Sequence, residues 1–290
     1  MMLKNPLIKK YAYFGLIPSI FFLSILAYPF VQGAYLTFTN WNGFGYTKVI
    51  GFPNYLHAVQ DPVFWSTIWF TVKFVIGSVI AVNAVAFGLA LLVTSKLKSS
   101  NVFRTFFFIP NLIGGIALGV IWQFIFNNIL TGLSHKFALP FFKSSLLGTT
   151  GGAYWALILV TVWQSSGYMM IIYITGLVSI DNEVLEAAKV DGASALRTLW
   201  NIKMPLMVQA FTISLFLTLR NGFMAYDVNL SLTGGGPFRT TELVSMHVYN
   251  EAFSYGHFGS GQAKAVIMFI FVALAALLQV GVSKRLEANS

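Results

Sequence analysis

The chain has 290 residues, of which 57% are hydrophobic and only 9% charged, and its formal net charge is +9. Soluble domains carry about 25% charge, so this composition, with a mean hydropathy of +0.73, excludes an ordinary globular fold and predicts a membrane protein. The absence of cysteine excludes disulfides, thiolate metal sites and thiol catalysis.

Crossing ~30 Å of hydrocarbon takes about 20 apolar helical residues. Lipid offers no partner to an unpaired amide, so apolar runs of that length are expected as helices. Six runs qualify, at about 13–37, 68–94, 106–128, 153–178, 206–230 and 260–282. They predict an all-α membrane fold in a single transmembrane domain, 1–290. The first run follows Lys4, Lys9 and Lys10 but exceeds the ~7–15 residues of a signal-peptide core, so it reads as a span. With the N-terminus inside, the inner segments hold Lys4, Lys9, Lys10, Lys96, Lys98, Arg104, Lys189, Arg197, Lys203, Lys284 and Arg285. The other seven of the 18 bases (Lys48, Lys73, Lys136, Lys143, Arg220, Arg239, Lys264) fall outside or within spans. That bias predicts both termini in the cytoplasm. Trp41, Tyr55, Trp65, Tyr154 and Trp155 stand near the outer boundaries, where interfacial aromatics belong.

Residues 38–63 and 233–258 are rich in Gly, Asn and Pro and read as extracytoplasmic loops. Between the fourth and fifth runs lies a polar island, 179–205, which the orientation places inside the cell. Asp181 or Asn182 can cap a helix through Val190, with Glu183 complementing its positive end. Gly192 permits the positive-φ turn that ends it. Ser194 can cap a second helix, Ala195 to about Lys203, and Pro205 suits the first turn of the fifth span. Ala187 and Ala188 are small enough for a partner to approach, and Glu186 offers it a carboxylate. A DNA-reading helix-turn-helix is disfavoured, because Asp181, Glu183, Glu186 and Asp191 outnumber three bases where phosphate contacts need positive charge.

The island reads Glu186-Ala187-Ala188, three residues ending in Asp191, Gly192, nine residues, then Ile202-Lys203-Met204-Pro205. This resembles the coupling-loop signature of ABC importer permeases, with Met204 in place of the leucine before the proline. Further matches resemble carbohydrate permeases of the maltose/glycerol-phosphate type. They are Tyr28-Pro29, Gly51-Phe52-Pro53-Asn54-Tyr55, Asp61-Pro62-Val63-Phe64, Phe108-Ile109-Pro110, Leu232-Thr233-Gly234-Gly235-Gly236-Pro237, Thr241-Glu242 and Tyr249-Asn250-Glu251-Ala252-Phe253. The resemblance implies six transmembrane helices of the type I importer kind in a bacterial plasma membrane. It also implies three partners: a second homologous permease, a cytoplasmic ATPase dimer gripping the island, and an extracytoplasmic sugar-binding protein.

No Gly-x4-Gly-Lys-Ser/Thr sequence occurs, so the chain itself is not expected to hydrolyse ATP. ATP and Mg²⁺ would be used by the partner, and no cofactor or catalytic constellation is expected here. The Gly-rich run 233–237 lacks the Lys-Ser/Thr ending and reads as a structural turn. His57, His135, His247 and His257 are scattered, with no metal-ligand spacing.

A transported sugar needs polar and stacking groups near mid-membrane. Thr161, Gln164, Ser165 and Tyr168 stand at i, i+3, i+4, i+7, on one helical face. Thr218, Asn221, Gly222 and Ala225 repeat that spacing, with Tyr226 adjacent. Alignment to maltose-type permeases implies that these residues, with Asn111 and Gly115, line the sugar site. The bland alternative is that they join helices in lipid. Intramembrane charges are often functional: Arg220 and Asp227, at i, i+7, could share a face as a proton pathway. That leaves a proton-coupled secondary transporter as the competing reading. Lys73 and Lys264, in the first turns of their spans, are expected to snorkel outward.

Overall fold

The computed structural model describes residues 6–95, 100–137 and 144–287, and among them there is no sheet, only an isolated bridge between Thr39 and Val49. Lys4, Lys96, Lys98 and Lys143, used above for orientation, lie outside the described residues, as do the side chains of Lys9, Lys10 and His135. The helices are α1 (Pro6–Phe22), α2 (Tyr28–Leu36), α3 (Pro53–Gln60), α4 (Pro62–Thr94), α5 (Ser100–Phe108), α6 (Gly115–Phe124), α7 (Leu130–Phe137) and α8 (Thr150–Val178). There follow α9 (Asn182–Val190), α10 (Ala195–Thr198), α11 (Met204–Leu206), α12 (Val208–Phe223), α13 (Asp227–Leu232), α14 (Val244–Tyr249) and α15 (Phe258–Glu287). Five stretches are long and apolar enough to cross a membrane: Phe14–Leu36, Pro62–Thr94, Gly115–Ser134, Thr150–Val178 and Phe258–Arg285. Ala195–Leu206 and Val208–Phe223 qualify together as a sixth, bent by 71°.

Two of the expected spans are not continuous. The apolar run 106–128 hides a break: Pro110 cannot donate an amide, a 3₁₀ turn covers Ile109–Leu112, Ile113 is extended, and α6 begins only at Gly115. The run 206–230 breaks at Met224–Tyr226, between α12 and α13. The second run starts earlier than its hydropathy suggests, at Pro62, so Lys73 sits about three turns into α4 rather than in its first. Both outer loops contain short helices, α3 in one and α14 in the other.

The described chain forms two compact units, residues 1–62 with 248–268, and 63–247 with 269–290. In the larger one, α4, α8 and α12 are keyed together by a buried side chain. Asn83 donates to Val79 O (2.7 Å) and Thr218 Oγ1 (3.0 Å), while its Oδ1 accepts from Tyr173 OH and Ser214 Oγ, both at 2.6 Å. Glycines set the close approaches: a Cβ on Gly167 of α8 would collide with the Phe107 carbonyl, and one on Gly176 would meet Ala210 Cβ at 2.8 Å.

In the smaller unit, Asn54 Nδ2 ties Thr37 O (2.7 Å) to Thr39 O (2.9 Å), and Thr37 Oγ1 donates to Tyr55 OH. Lys264 does not snorkel. It is fully buried, with its Nζ 2.6 Å from Asp61 Oδ2 and 2.9 Å from Glu251 Oε2, and Glu251 Oε1 also meets His257 Nδ1 at 3.1 Å. Two carboxylates within reach make burial cheaper for the ammonium than exposure through an apolar helix.

Burial alone would raise the Glu251 pKa, but hydrogen bonding and charge from Lys264, then His257, outweigh it and hold the carboxyl below its ordinary value. A lowered folded value means the contribution is present above the ordinary glutamate range and lost as pH falls through the lowered one. Lys264→Met takes from both acids the ammonium they share and is expected to cost about 3–5 kcal/mol. Thermal unfolding of the detergent-solubilised protein against pH checks both points: the acid-induced loss seen in the wild type should be smaller in the variant.

Candidate functional site

Two features stand apart from the packing of the larger unit: a polar cavity among the helices and an exposed helical hairpin.

The cavity, about 320 Å³, is walled by Ser78 and Val82 of α4, Asn111 and Gly115 around the first break, and Thr161, Gln164 and Ser165 of α8. Thr218, Asn221 and Gly222 of α12, Met224, Ala225 and Tyr226 of the second break, and Asp227 and Val228 of α13 complete it. Ten of the eleven residues that the resemblance implies for the sugar site therefore share one wall. The exception is Tyr168, 39% exposed and off this wall: it lies seven residues beyond Thr161 along α8, or about 10 Å.

The wall is built from the two breaks. Lipid cannot satisfy the carbonyls released where a helix stops, and side chains do so instead. Gln164 Nε2 donates to Ile113 O at 3.2 Å and Ser245 Oγ to Ala225 O at 2.8 Å, while Ser231 Oγ of α13 reaches Gly115 O in the first turn of α6 at 3.2 Å. Gly115 and Gly119, four apart on α6, form the flat strip on which α13 lies. A Cβ on Gly115 would stand 2.6 Å from Asp227 Cβ, and one on Gly119 would collide with Ser231 Oγ. Gly222 similarly brings α12 against Val75 and Ser78.

The side chains differ in what they have free. Thr218 is buried and its hydroxyl is engaged on both sides, accepting from Asn83 and donating to Ser214 O. It serves the packing rather than the lumen. Asn221 Oδ1 accepts from Arg220 Nη1 at 3.3 Å. Thr161, Ser165 and Asn111 are half-buried. The break at Met224–Tyr226 removes the helical register that would have put Arg220 and Asp227 on one face.

The hairpin follows the sequence closely. Asp181 caps α9 by accepting from Glu183 N, and Ser194 caps α10 by accepting from Arg197 N. Gly192 adopts φ +74°, with Gly192 N bonded to Lys189 O and Ala193 N to Ala188 O, the paired closure of a glycine-terminated helix. Glu186, Ala187 and Asp191 are exposed, but Ala188 faces inward and is buried, so only one of the two alanines is open to a partner. Pro205 does not begin the fifth span. It lies at the end of the hairpin's second arm, after a wide π-turn at Leu199–Lys203, and α12 starts past Met207 at the 71° bend. The wide turn relieves the clash of a proline ring with the carbonyl four residues back.

The sequence reading missed the hairpin's apolar rim: Val190, Leu196 and Trp200 are 87%, 66% and 60% exposed. Large apolar side chains within an otherwise polar island were the available signal.

The model of the family described as "binding-protein-dependent transport system inner membrane component" matches residues 83–288. The chain is 41% identical over 265 residues to the probable starch degradation products transport system permease protein AmyD of Thermoanaerobacterium thermosulfurigenes, covering 91% of this chain and 90% of that protein. It is 32% identical over 275 residues to the multiple sugar-binding transport system permease protein MsmF of Streptococcus mutans, covering 94% and 95%. Among solved structures, it matches a chain from a bacterial ABC transporter involved in the import of the acidic polysaccharide alginate. There the TM-score is 0.83 and the identity 18%, over 96% of this chain and 97% of that one. At that identity the likeness concerns the fold alone.

Because α13 rests on the two glycines of α6, Gly119→Val is expected to lift α13 and open the cavity wall while the Asn83 junction stays intact. A cysteine at position 225 should then react with a membrane-impermeant maleimide at least several-fold faster than in the parent. An unchanged rate would show that α13 does not depend on this strip.

Proposed function

The chain belongs to the family of binding-protein-dependent transport system inner membrane components, has the all-α fold of type I ABC importer permeases, and we propose that it forms half the translocation pore of an ATP-driven sugar importer. Its cargo is an oligosaccharide, a reading supported by the names of the relatives AmyD and MsmF. A second, homologous permease supplies the other half of the pore. A cytoplasmic ATPase dimer, using ATP and Mg²⁺, docks on the hairpin 181–206, and an extracytoplasmic binding protein delivers the sugar. Both termini and the hairpin face the cytoplasm of a bacterial cell, in keeping with the distribution of Lys and Arg.

The observation that carries this reading is that one stretch, 181–228, builds both working ends. It holds the exposed hairpin at one end and, past the bend at Met207, a wall of the polar cavity at the other. Glu186 supplies a carboxylate to the ATPase, Ala187 lets it approach, and Val190, Leu196 and Trp200 give it apolar area to bury. Asp191, Gly192 and Pro205 complete the coupling set and shape the hairpin that the ATPase grips. In the cavity, Gln164, Ser165, Thr161, Asn111, Asn221 and Tyr226 offer hydrogen bonds to sugar hydroxyls, and Gly222 and Ala225 leave room for the rings. A proton-coupled carrier has less support, since Arg220 and Asp227 lie on separate helices.

Reconstitution tests this. The purified chain alone in liposomes should move no sugar, with or without a pH gradient, and uptake should appear once the second permease, ATPase and binding protein are added with ATP. Uptake by the lone chain driven by a pH gradient would sink the importer reading. Glu186→Lys or Gly192→Pro should abolish sugar-stimulated ATP hydrolysis while leaving membrane insertion unchanged. Gln164→Ala should lower uptake roughly tenfold, the scale of one hydrogen bond of about 1.4 kcal/mol, with the ATPase still docked.

A further inference from the structure

Intramembrane carboxylates are costly unless they are paired or face a watery path. Asp227 meets only the second condition. It is exposed, stands on the cavity wall, and among the described residues its carboxylate has no hydrogen bond and no ion pair. The same wall includes no Lys, Arg or His. Arg220, the nearest base in sequence, lies on α12 before the break and is bonded to Asn221 instead. Asp227 is held in place by the bare Gly115: a Cβ there would come within 2.6 Å of Asp227 Cβ and 3.5 Å of its Oδ2. The carboxylate thus faces the first turn of α6, whose positive end offsets part of the cost of holding a negative charge at this depth.

We propose that Asp227 makes this half of the pore selective for uncharged saccharides over carboxylated or phosphorylated ones, an inference that rests on the importer reading above. The chemistry is one-sided. Hydroxyl groups of a neutral sugar can donate to the carboxylate, giving charge-assisted hydrogen bonds, while the amides of Asn111, Gln164 and Asn221 both donate and accept. A uronate or phosphate brings a like charge into a small cavity whose wall has no cation to balance it. Two such charges about 5 Å apart at an effective dielectric of ~20 repel strongly enough to shift binding by more than tenfold. Asp227 acts by contact with the cargo and is a specificity residue, separate from the positions that the sequence resemblance implied.

The test uses the assembled importer in lipid nanodiscs, without the binding protein, so that only the pore discriminates. Binding of maltotriose, cellotriose and trigalacturonate is measured by calorimetry at neutral pH and low salt. The wild type should bind the better neutral trisaccharide at least about tenfold more tightly than trigalacturonate. Asp227→Asn, which keeps the shape and removes the charge, should cut that ratio at least about tenfold, chiefly by tighter trigalacturonate binding. Equal binding of neutral and acidic trisaccharides by the wild type, or an unchanged ratio in Asp227→Asn, would overturn the inference and leave the importer reading standing. No binding of any of the three, together with no uptake of any sugar by the full system, would overturn both. Should Asp227→Asn fail to assemble, the wild-type ratio and its collapse in high salt decide the matter.

Discussion

A helix that stops inside a bilayer leaves amides and carbonyls that lipid cannot satisfy, and this constraint shapes the larger unit. Non-helical backbone is tolerated at that depth only where protein or a watery cavity meets it. Here the two interruptions, at Ile109–Gly114 and at Met224–Tyr226, both border the same cavity. Gln164 and Ser245 satisfy the carbonyls of Ile113 and Ala225. Gln164, which lines the cavity, is thus also one of the side chains that satisfy the breaks.

The second requirement is that the walls keep their places. Asn83 takes four hydrogen bonds from or to α4, α8 and α12, and a buried amide satisfied this fully fixes the rotation of each helix about its axis. Gly115 and Gly119 do the same for α13 by steric exclusion, since any side chain there would displace Asp227 or Ser231. Packing in lipid lacks a hydrophobic drive between helices, so small residues and interhelical hydrogen bonds carry specificity. Thr218 illustrates the division of labour: placed on the cavity wall by its spacing, it spends its hydroxyl on Asn83 and Ser214.

Much of this was legible in the sequence, and the rest was hidden for identifiable reasons. Long apolar runs gave the spans because length and hydropathy are local properties. The caps Asp181 and Ser194 and the turn at Gly192 were readable because capping chemistry is local too. The face carrying Thr161, Gln164 and Ser165 followed from helical periodicity. Hydropathy, by contrast, cannot see a break inside an apolar run, so 106–128 and 206–230 read as unbroken. Pro110 was a visible warning, but nothing comparable marks Met224–Tyr226. The burial of Lys264 depends on Asp61 and Glu251, which are distant from it in sequence. The inward turn of Ala188 and the displacement of Tyr168 from the cavity depend on tertiary placement that spacing alone does not encode. Of the misread places, only the two breaks border the cavity.

On the importer reading, these same restraints limit how the pore can open. α12, about 24 Å long, joins the hairpin through the single bend at Met207 and would act as a lever; a tilt of about 5° at the bend moves its far end about 2 Å. Ser214 and Thr218 lie partway along that lever and are bonded to Asn83, so α12 cannot tilt without drawing α4 and α8 with it. The contact of α13 with α6 then carries the remaining wall along. Deforming the cavity within this chain would break buried hydrogen bonds, each costing about 1–3 kcal/mol when left unmade. Moving the group as one body breaks none of them. If a second permease supplies the other half of the pore, as proposed, force applied at the hairpin would be spent most cheaply at the boundary between two halves that keep their own shape.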